Sequence, residues 1–212
     1  MSSVRIFDEH YLRYDRWFDE NREVFEAEVR ALRALLPTRA AALEVGAGTG
    51  RFAVALSFAY AVEPSRNMAL AAKSRGVCVC QALGESLPYP SAAFDSVSLI
   101  TVLCFVENSR AIIDECRRVL RPGGHLLIGM IDKHSTLGAF YESRSAADVF
   151  YRAASLHSME NMINLVENAG LRVLRCVQTL IGMPYETPGW DDLRTGFGEG
   201  AFGAMLVRKP DA

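Results

Sequence analysis

The sequence predicts an α/β chain: a doubly wound, mostly parallel seven-stranded sheet whose last strand runs antiparallel. Three observations predict it. Short apolar runs alternate with helix-period segments from residue 41 onward, as successive strand–helix–strand units require. The first run breaks into Gly46-Ala47-Gly48-Thr49-Gly50 and passes at once into a helix-compatible segment, the layout of a tight turn at a strand end. The last run, 201–208, has no helical segment just before it, so it returns beside the sixth strand without a crossover.

Each element has a local reason. Phe25, Val29, Leu32 and Leu36 recur at helical spacing and predict a helix over 21–36, stopped by Pro37. Ahead of it Tyr11, Tyr14 and Phe18 share one helical face, next to Trp17. They either pack on the main domain or form a flap over a ligand. Strands are expected over 41–45, 60–63, 77–81, 94–102, 125–131, 171–180 and 201–208. Helices are expected over 50–58, over 65–74 behind a Ser65 cap, and over 109–120, where Ile112, Cys116 and Val119 form a stripe. Arg121-Pro122-Gly123-Gly124 ends that last helix. The fifth strand is almost continuously apolar, as suits a strand covered on both faces. A polar, aromatic helical stretch over 136–153 precedes a helix that Ser158 caps and Gly170 stops. Residues 181–200 read as a long loop, and such loops often serve as lids.

The bulk properties bound the class. The 212 residues suit one domain, 1–212, with a helical arm over 1–37 and a helical cap over 134–158. Half are apolar and 23% are charged, the balance of a soluble globular protein. A net charge of −2 argues against a dedicated nucleic-acid binder. Five cysteines, an odd number with no CxxC pair, fit a reduced, cytoplasmic compartment. Cys78 and Cys80 alternate onto one face, which suggests buried packing. The first residues carry no apolar leader, and no uncharged apolar stretch reaches the roughly 18 residues that span a membrane.

The glycine turn and two acids carry the functional signal. A Cβ would block both the bend and the approach of a ligand, so space for one is expected beside Gly48. Glu44 lies in the strand end, where a carboxylate is costly without a partner; a ligand ammonium group would be one. Glu63 ends the second strand, 17 residues after Gly46, where an acid can accept both hydroxyls of a ribose. The glycines read GxGxG and position 51 is Arg, so the dinucleotide form GxGxxG is not met. That favours S-adenosylmethionine over a nicotinamide cofactor.

Five stretches in register resemble a class I S-adenosylmethionine-dependent methyltransferase, of the type 11 group that includes many small-molecule methyltransferases. They are Leu43-Glu44-Val45-Gly46-Ala47-Gly48-Thr49-Gly50, Val62-Glu63-Pro64-Ser65, Gly84-Glu85-Ser86-Leu87-Pro88, Phe94-Asp95-Ser96-Val97 and Arg118-Val119-Leu120-Arg121-Pro122-Gly123-Gly124. The resemblance implies a Rossmann-like methyltransferase fold with S-adenosyl-L-methionine as cofactor. It implies that Glu44, Gly46, Ala47 and Gly48, in the turn that Gly50 closes, hold the methionine end. Glu63 would take the ribose, Pro64 and Met68 the adenine face, and Leu83, Gly84 and Glu85 the adenine edge. Thr101 and Val102 would face the sulfonium. Apart from the resemblance, the reading of the arm aromatics as a flap puts Tyr14 and Trp17 at the cofactor as well. Two positions depart from the family pattern: Ala82, usually Gly, and Leu83, often polar. A leucine side chain cannot accept from the adenine amino group.

The expected function is methyl transfer to a small-molecule acceptor, with no metal, nucleic acid or membrane involved. Tyr141, Phe150, Tyr151, Tyr185 and Trp190 are candidates for the acceptor pocket, or for ordinary packing. No catalytic residue stands out, since a sulfonium is already an activated leaving group and a base is needed only for a protonated acceptor. Asp132 and His134 follow the fifth strand and read as a solvated turn; His157 reads as a cap neighbour; Cys104 reads as packing. A nicotinamide oxidoreductase and a non-catalytic S-adenosylmethionine-binding regulator are the rival readings.

Overall fold

In the computed structural model, which describes residues 3–36, 41–144 and 148–211, one mixed sheet runs through the molecule. Its strands are β1 (Ala42–Val45), β2 (Tyr60–Val62), β3 (Cys78–Cys80), β4 (Phe94–Ile100), β5 (Leu120–Ile131), β6 (Arg172–Ile181), β7 (Arg194–Thr195) and β8 (Gly200–Arg208). They lie in the order β3-β2-β1-β4-β5-β8-β6-β7. β1 to β5 pair in parallel, and β8 runs antiparallel to both β5 and β6. This is the wound sheet the sequence predicts. The eighth strand is β7, two residues inside the stretch expected to be loop, which pairs with β6 through Val177 and Gln178. The order reverses between β1 and β4, so their carboxyl ends open a crevice where sheets of this kind bind ligands.

The helices are α1 (Ser3–Glu9), α2 (Tyr11–Glu20), α3 (Arg22–Arg33), α4 (Arg51–Leu56), α5 (Arg66–Ser74), α6 (Ser109–Val119), α7 (Thr136–Ser143), α8 (Val149–Ala153) and α9 (Met159–Asn168). Ser65 and Ser158 cap α5 and α9 as expected, accepting from the backbone N–H of Met68 and of Asn161. β5 begins at Leu120, earlier than predicted, because Arg121-Pro122-Gly123-Gly124 is absorbed into the strand across a register shift opposite β4. Pro37 lies outside the described residues.

Both faces of the sheet are covered. Leu32, Phe52, Leu127 and Phe202 anchor the core on the α3–α4 side. Leu43, Leu99, Ile112, Ile128 and Met162 anchor it on the α6–α9 side. Three carboxylates help tie the arm down, Asp19 through Arg51 and two others through several partners each. Asp8 of α1 accepts from Ser65 Oγ (2.8 Å) and from the Asn67 backbone N–H (2.9 Å) at the start of α5. Asp15 of α2 accepts from Thr49 Oγ1 (2.6 Å), from Arg51 (2.8 Å) and from Arg75 (2.7 Å).

Two expectations are corrected here. Cys78 is exposed rather than packed, because β3 is the edge strand. Asp132 is buried rather than solvated; its Oδ1 accepts from the His134 N–H (2.9 Å), which holds the turn after β5. Among the described residues no helix is long and apolar enough to cross a membrane.

Candidate functional site

The turn after β1 is built from backbone that only glycine tolerates. Gly46 has φ +74°, and a Cβ there would stand 2.5 Å from Val102 Cγ2. Its N–H and that of Ala47 donate to the Val62 carbonyl (2.7 and 3.2 Å), which locks the bend onto the end of β2. Gly48 also has positive φ, and the ring of Tyr14 lies 3.2 Å from where its Cβ would be. The space beside Gly48, expected to be open for a ligand, is therefore bounded by a side chain of the arm.

The two acids stand together at this turn. Glu63 is buried; its Oε2 accepts from the Gly48 N–H (2.8 Å) and its Oε1 from the Ser65 N–H (2.8 Å). Burial pushes its carboxyl up to about 7, against the pull of those two N–H groups. Glu44, 1% exposed, has an Oε2 with no hydrogen-bond partner. Burial, and then the charge of Glu63, hold its carboxyl well above the usual range. Tyr14 feels the same field: burial first, then Glu63, Glu44 and Glu28, keep its hydroxyl protonated.

A cavity of about 320 Å³ opens in front of the turn. Its wall includes Gly46, Gly48, Glu63, Pro64, Met68, Leu83, Gly84, Glu85, Thr101, Val102 and Tyr14. The charged residues on this wall are all acids: Glu63, Glu85 and Glu107. A second chamber of about 280 Å³ lies against it, and Phe7, Tyr14, Thr101 and Phe105 belong to both walls. The second chamber is aromatic, with Trp17, Tyr141, Phe150 and Tyr151 around it and Glu28 on its wall. Thr101 sits where the two meet with φ +53°, a strained conformation for a β-branched residue and one that recurs at functional sites.

A family model described as "Methyltransferase domain" matches residues 43–128. The chain is 36% identical over 206 residues to an uncharacterized protein of Methanocaldococcus jannaschii, covering 97% of this chain and 100% of that protein. It is 37% identical to a Thermotoga maritima crystal structure described as "SAM-dependent methyltransferase, possible histamine N-methyltransferase", with a TM-score of 0.93 over 98% of this chain and 99% of that one. The chain belongs to the class I S-adenosylmethionine-dependent methyltransferases. A further relative, the 27-O-demethylrifamycin SV methyltransferase of Amycolatopsis mediterranei, is 32% identical over 136 residues, 56% of this chain and 50% of that protein. The protein is thus an S-adenosylmethionine-dependent methyltransferase; the nicotinamide and non-catalytic readings find no support in these matches.

Within the methyltransferase, eleven of the fifteen residues expected around the cofactor lie on the first cavity's wall; Trp17, Glu44, Ala47 and Gly50 do not. Glu44 is buried and lines neither cavity. Gly50 starts α4 and faces α5, where a Cβ would stand 2.9 Å from that of Ala72; its smallness serves helix packing. Trp17 lines the aromatic chamber instead. Tyr141, Phe150 and Tyr151 also line it, whereas Tyr185 and Trp190 pack on each other (ring centroids 4.9 Å apart) and line neither cavity. His134 is exposed, and His157 Nε2 is 3.3 Å from Ser109 Oγ. Burial pushes the Cys104 thiol up to about 12, so it packs rather than attacks.

Sequence reasoning missed Glu28. It lies on α3 three residues after Phe25 and four before Leu32, on the same apolar face that predicted the helix. An acid interrupting an apolar stripe was the available signal.

Proposed function

We propose that S-adenosylmethionine binds in the cavity beside the glycine turn and that a small-molecule acceptor enters the aromatic chamber. Phe7, Tyr14, Thr101 and Phe105, which line both cavities, would flank the place where the two ligands meet, and the cofactor would supply the methyl group there. The observation that carries this reading is the pair Tyr14 and Thr101, which stand in both walls at the carboxyl end of the sheet. The residues fit the cofactor. Glu44 is off the cavity wall, but its buried oxygen has no partner and its chain neighbours Val45 and Gly46 line the cavity, so a ligand ammonium group at the turn is the counter-charge proposed for it. Each Glu63 oxygen accepts one backbone N–H and keeps a lone pair for a ribose hydroxyl. Tyr14 offers a protonated hydroxyl to the ligand's carboxylate. Pro64, Met68, Leu83, Gly84 and Glu85 border the adenine, whose amino group relies on backbone because Leu83 has no polar atom to offer. Trp17 is reassigned from the cofactor to the acceptor.

S-adenosylmethionine, when bound, supplies a methyl group on a sulfonium leaving group that needs no further activation. The protein's part is to align two ligands and exclude water, and alignment alone can be worth ~7–11 kcal/mol. The described elements α1, α2, α3, α7 and α8 line the chamber and carry acceptor choice. The five free cysteines favour a reducing cytoplasm, and the acidic cavity and net charge of −2 favour a small metabolite over nucleic acid.

Calorimetry with S-adenosylhomocysteine tests the reading. Binding is expected in the wild type and is lost in Gly48→Arg. Binding of NADH in its place would overturn it. A metabolite screen that reads S-adenosylhomocysteine formation then identifies the acceptor.

A further inference from the structure

We infer that the acceptor is an amine, and that Glu28, in the wall of the aromatic chamber, is the anion that receives it. This rests on the reading of that chamber as the acceptor site.

Glu28 is only 4% exposed, and its neighbours Ala27, Val29, Ala31 and Leu32 are buried apolar residues. Among the described residues nothing donates a hydrogen bond to its carboxyl or pairs with it, and burial alone raises that carboxyl to about 8. An alanine or leucine would fill this helix face without the penalty of a desolvated acid. What the site lacks is a cation, and the chamber is shaped to bring one. Tyr141 and Tyr151 stack 4.5 Å apart, and Tyr14, Trp17 and Phe150 add further ring surface. Ring faces attract ammonium groups, most strongly where water is excluded.

The other charges on the wall do not compete. Arg13 is exposed, is engaged by Asp148 and lies 5.4 Å from the centroid of the Phe150 ring. Glu20 is exposed too. The tyrosines facing Glu28 are neutral: burial, ahead of the neighbouring acid, raises the hydroxyls of Tyr14 and Tyr141. Beside a neutral alcohol or phenol the carboxyl keeps its proton and gains no charge pair. An amine can take that proton to form an ammonium–carboxylate pair, and must hand it back to Glu28 before the nitrogen lone pair can accept a methyl group.

The test titrates the full-length protein, saturated with S-adenosylhomocysteine, with phenethylamine, tryptamine and hexylamine and with the matching alcohols. At least one amine should bind at least 10-fold more tightly than its alcohol. Glu28→Gln, which keeps the side chain's size, should weaken that amine by about 10–100-fold and leave alcohol and S-adenosylhomocysteine affinity unchanged. If alcohols bind as tightly as amines, the chamber stands as an acceptor site and the amine inference falls. If neither class binds, the reading of the chamber falls with it. Unaltered amine affinity in Glu28→Gln also overturns the assignment.

Discussion

The Gly48 N–H donates to Glu63 Oε2 at 2.8 Å, so the glycine turn and the acid at the end of β2 hold each other in place. Glu63→Gln sets an NH₂ donor against one of the two N–H groups that the carboxylate now accepts. Hydrogen bonds to a charged group are worth about 1.5–3 kcal/mol. S-adenosylhomocysteine affinity should therefore fall roughly 10–100-fold, read by calorimetry. Undiminished binding would show that the turn does not depend on this acid.

Gly46→Ala forces a Cβ into a left-handed conformation and against Val102 Cγ2. Strain and overpacking together should cost about 2–4 kcal/mol. A denaturant titration measures this, with the midpoint falling and the slope unchanged.

Asp15 links α2 to Thr49, Arg51 and Arg75. Burial opposes its charge, but the bonds from Arg51, Thr49 and Arg75 hold its carboxyl well below the usual range. Its contribution is complete above the ordinary value of 3.8 and is lost as pH falls through the lower folded value. Asp15→Asn should speed hydrogen exchange in α1 and α2 while β4 and β5 stay protected. Uniform loosening of both regions would show that the arm has no separate attachment.

Glu28 gives the opposite pH dependence. Its folded carboxyl titrates near 8 and its ordinary value is 4.5, so the folded chain holds the proton longer. Ligand-free stability should decline as pH rises from 4.5 to about 8 and then level off. Glu28→Gln should remove that decline, stabilising the free protein at pH 8.5 by up to about 5 kcal/mol. Thermal melts across the pH range give the answer, and parallel curves for the two proteins would contradict it.

Much of the site was legible because it is local. The bend at Gly46 and Gly48 and the acids at the ends of β1 and β2 follow from strand, turn and helix within a few residues of each other. The aromatics were legible as a set but not in their places. Tyr141 and Tyr151 face the chamber while Tyr185 and Trp190 stay outside. The late segment's partial pairing as β7 was also hidden, since two residues carry too little pattern to announce a strand.

By itself the sequence determined the wound sheet, its antiparallel return and the cofactor-side turn, because hydrophobic period and backbone sterics act over short stretches of chain. Only the tertiary structure decided that Tyr14 borders both cavities, that Gly50 serves packing, and that Glu28 is buried beside aromatic rings. Those facts depend on contacts such as Asp8 with Asn67 and Asp15 with Arg75, 59 and 60 residues apart. No local periodicity records where two distant segments meet.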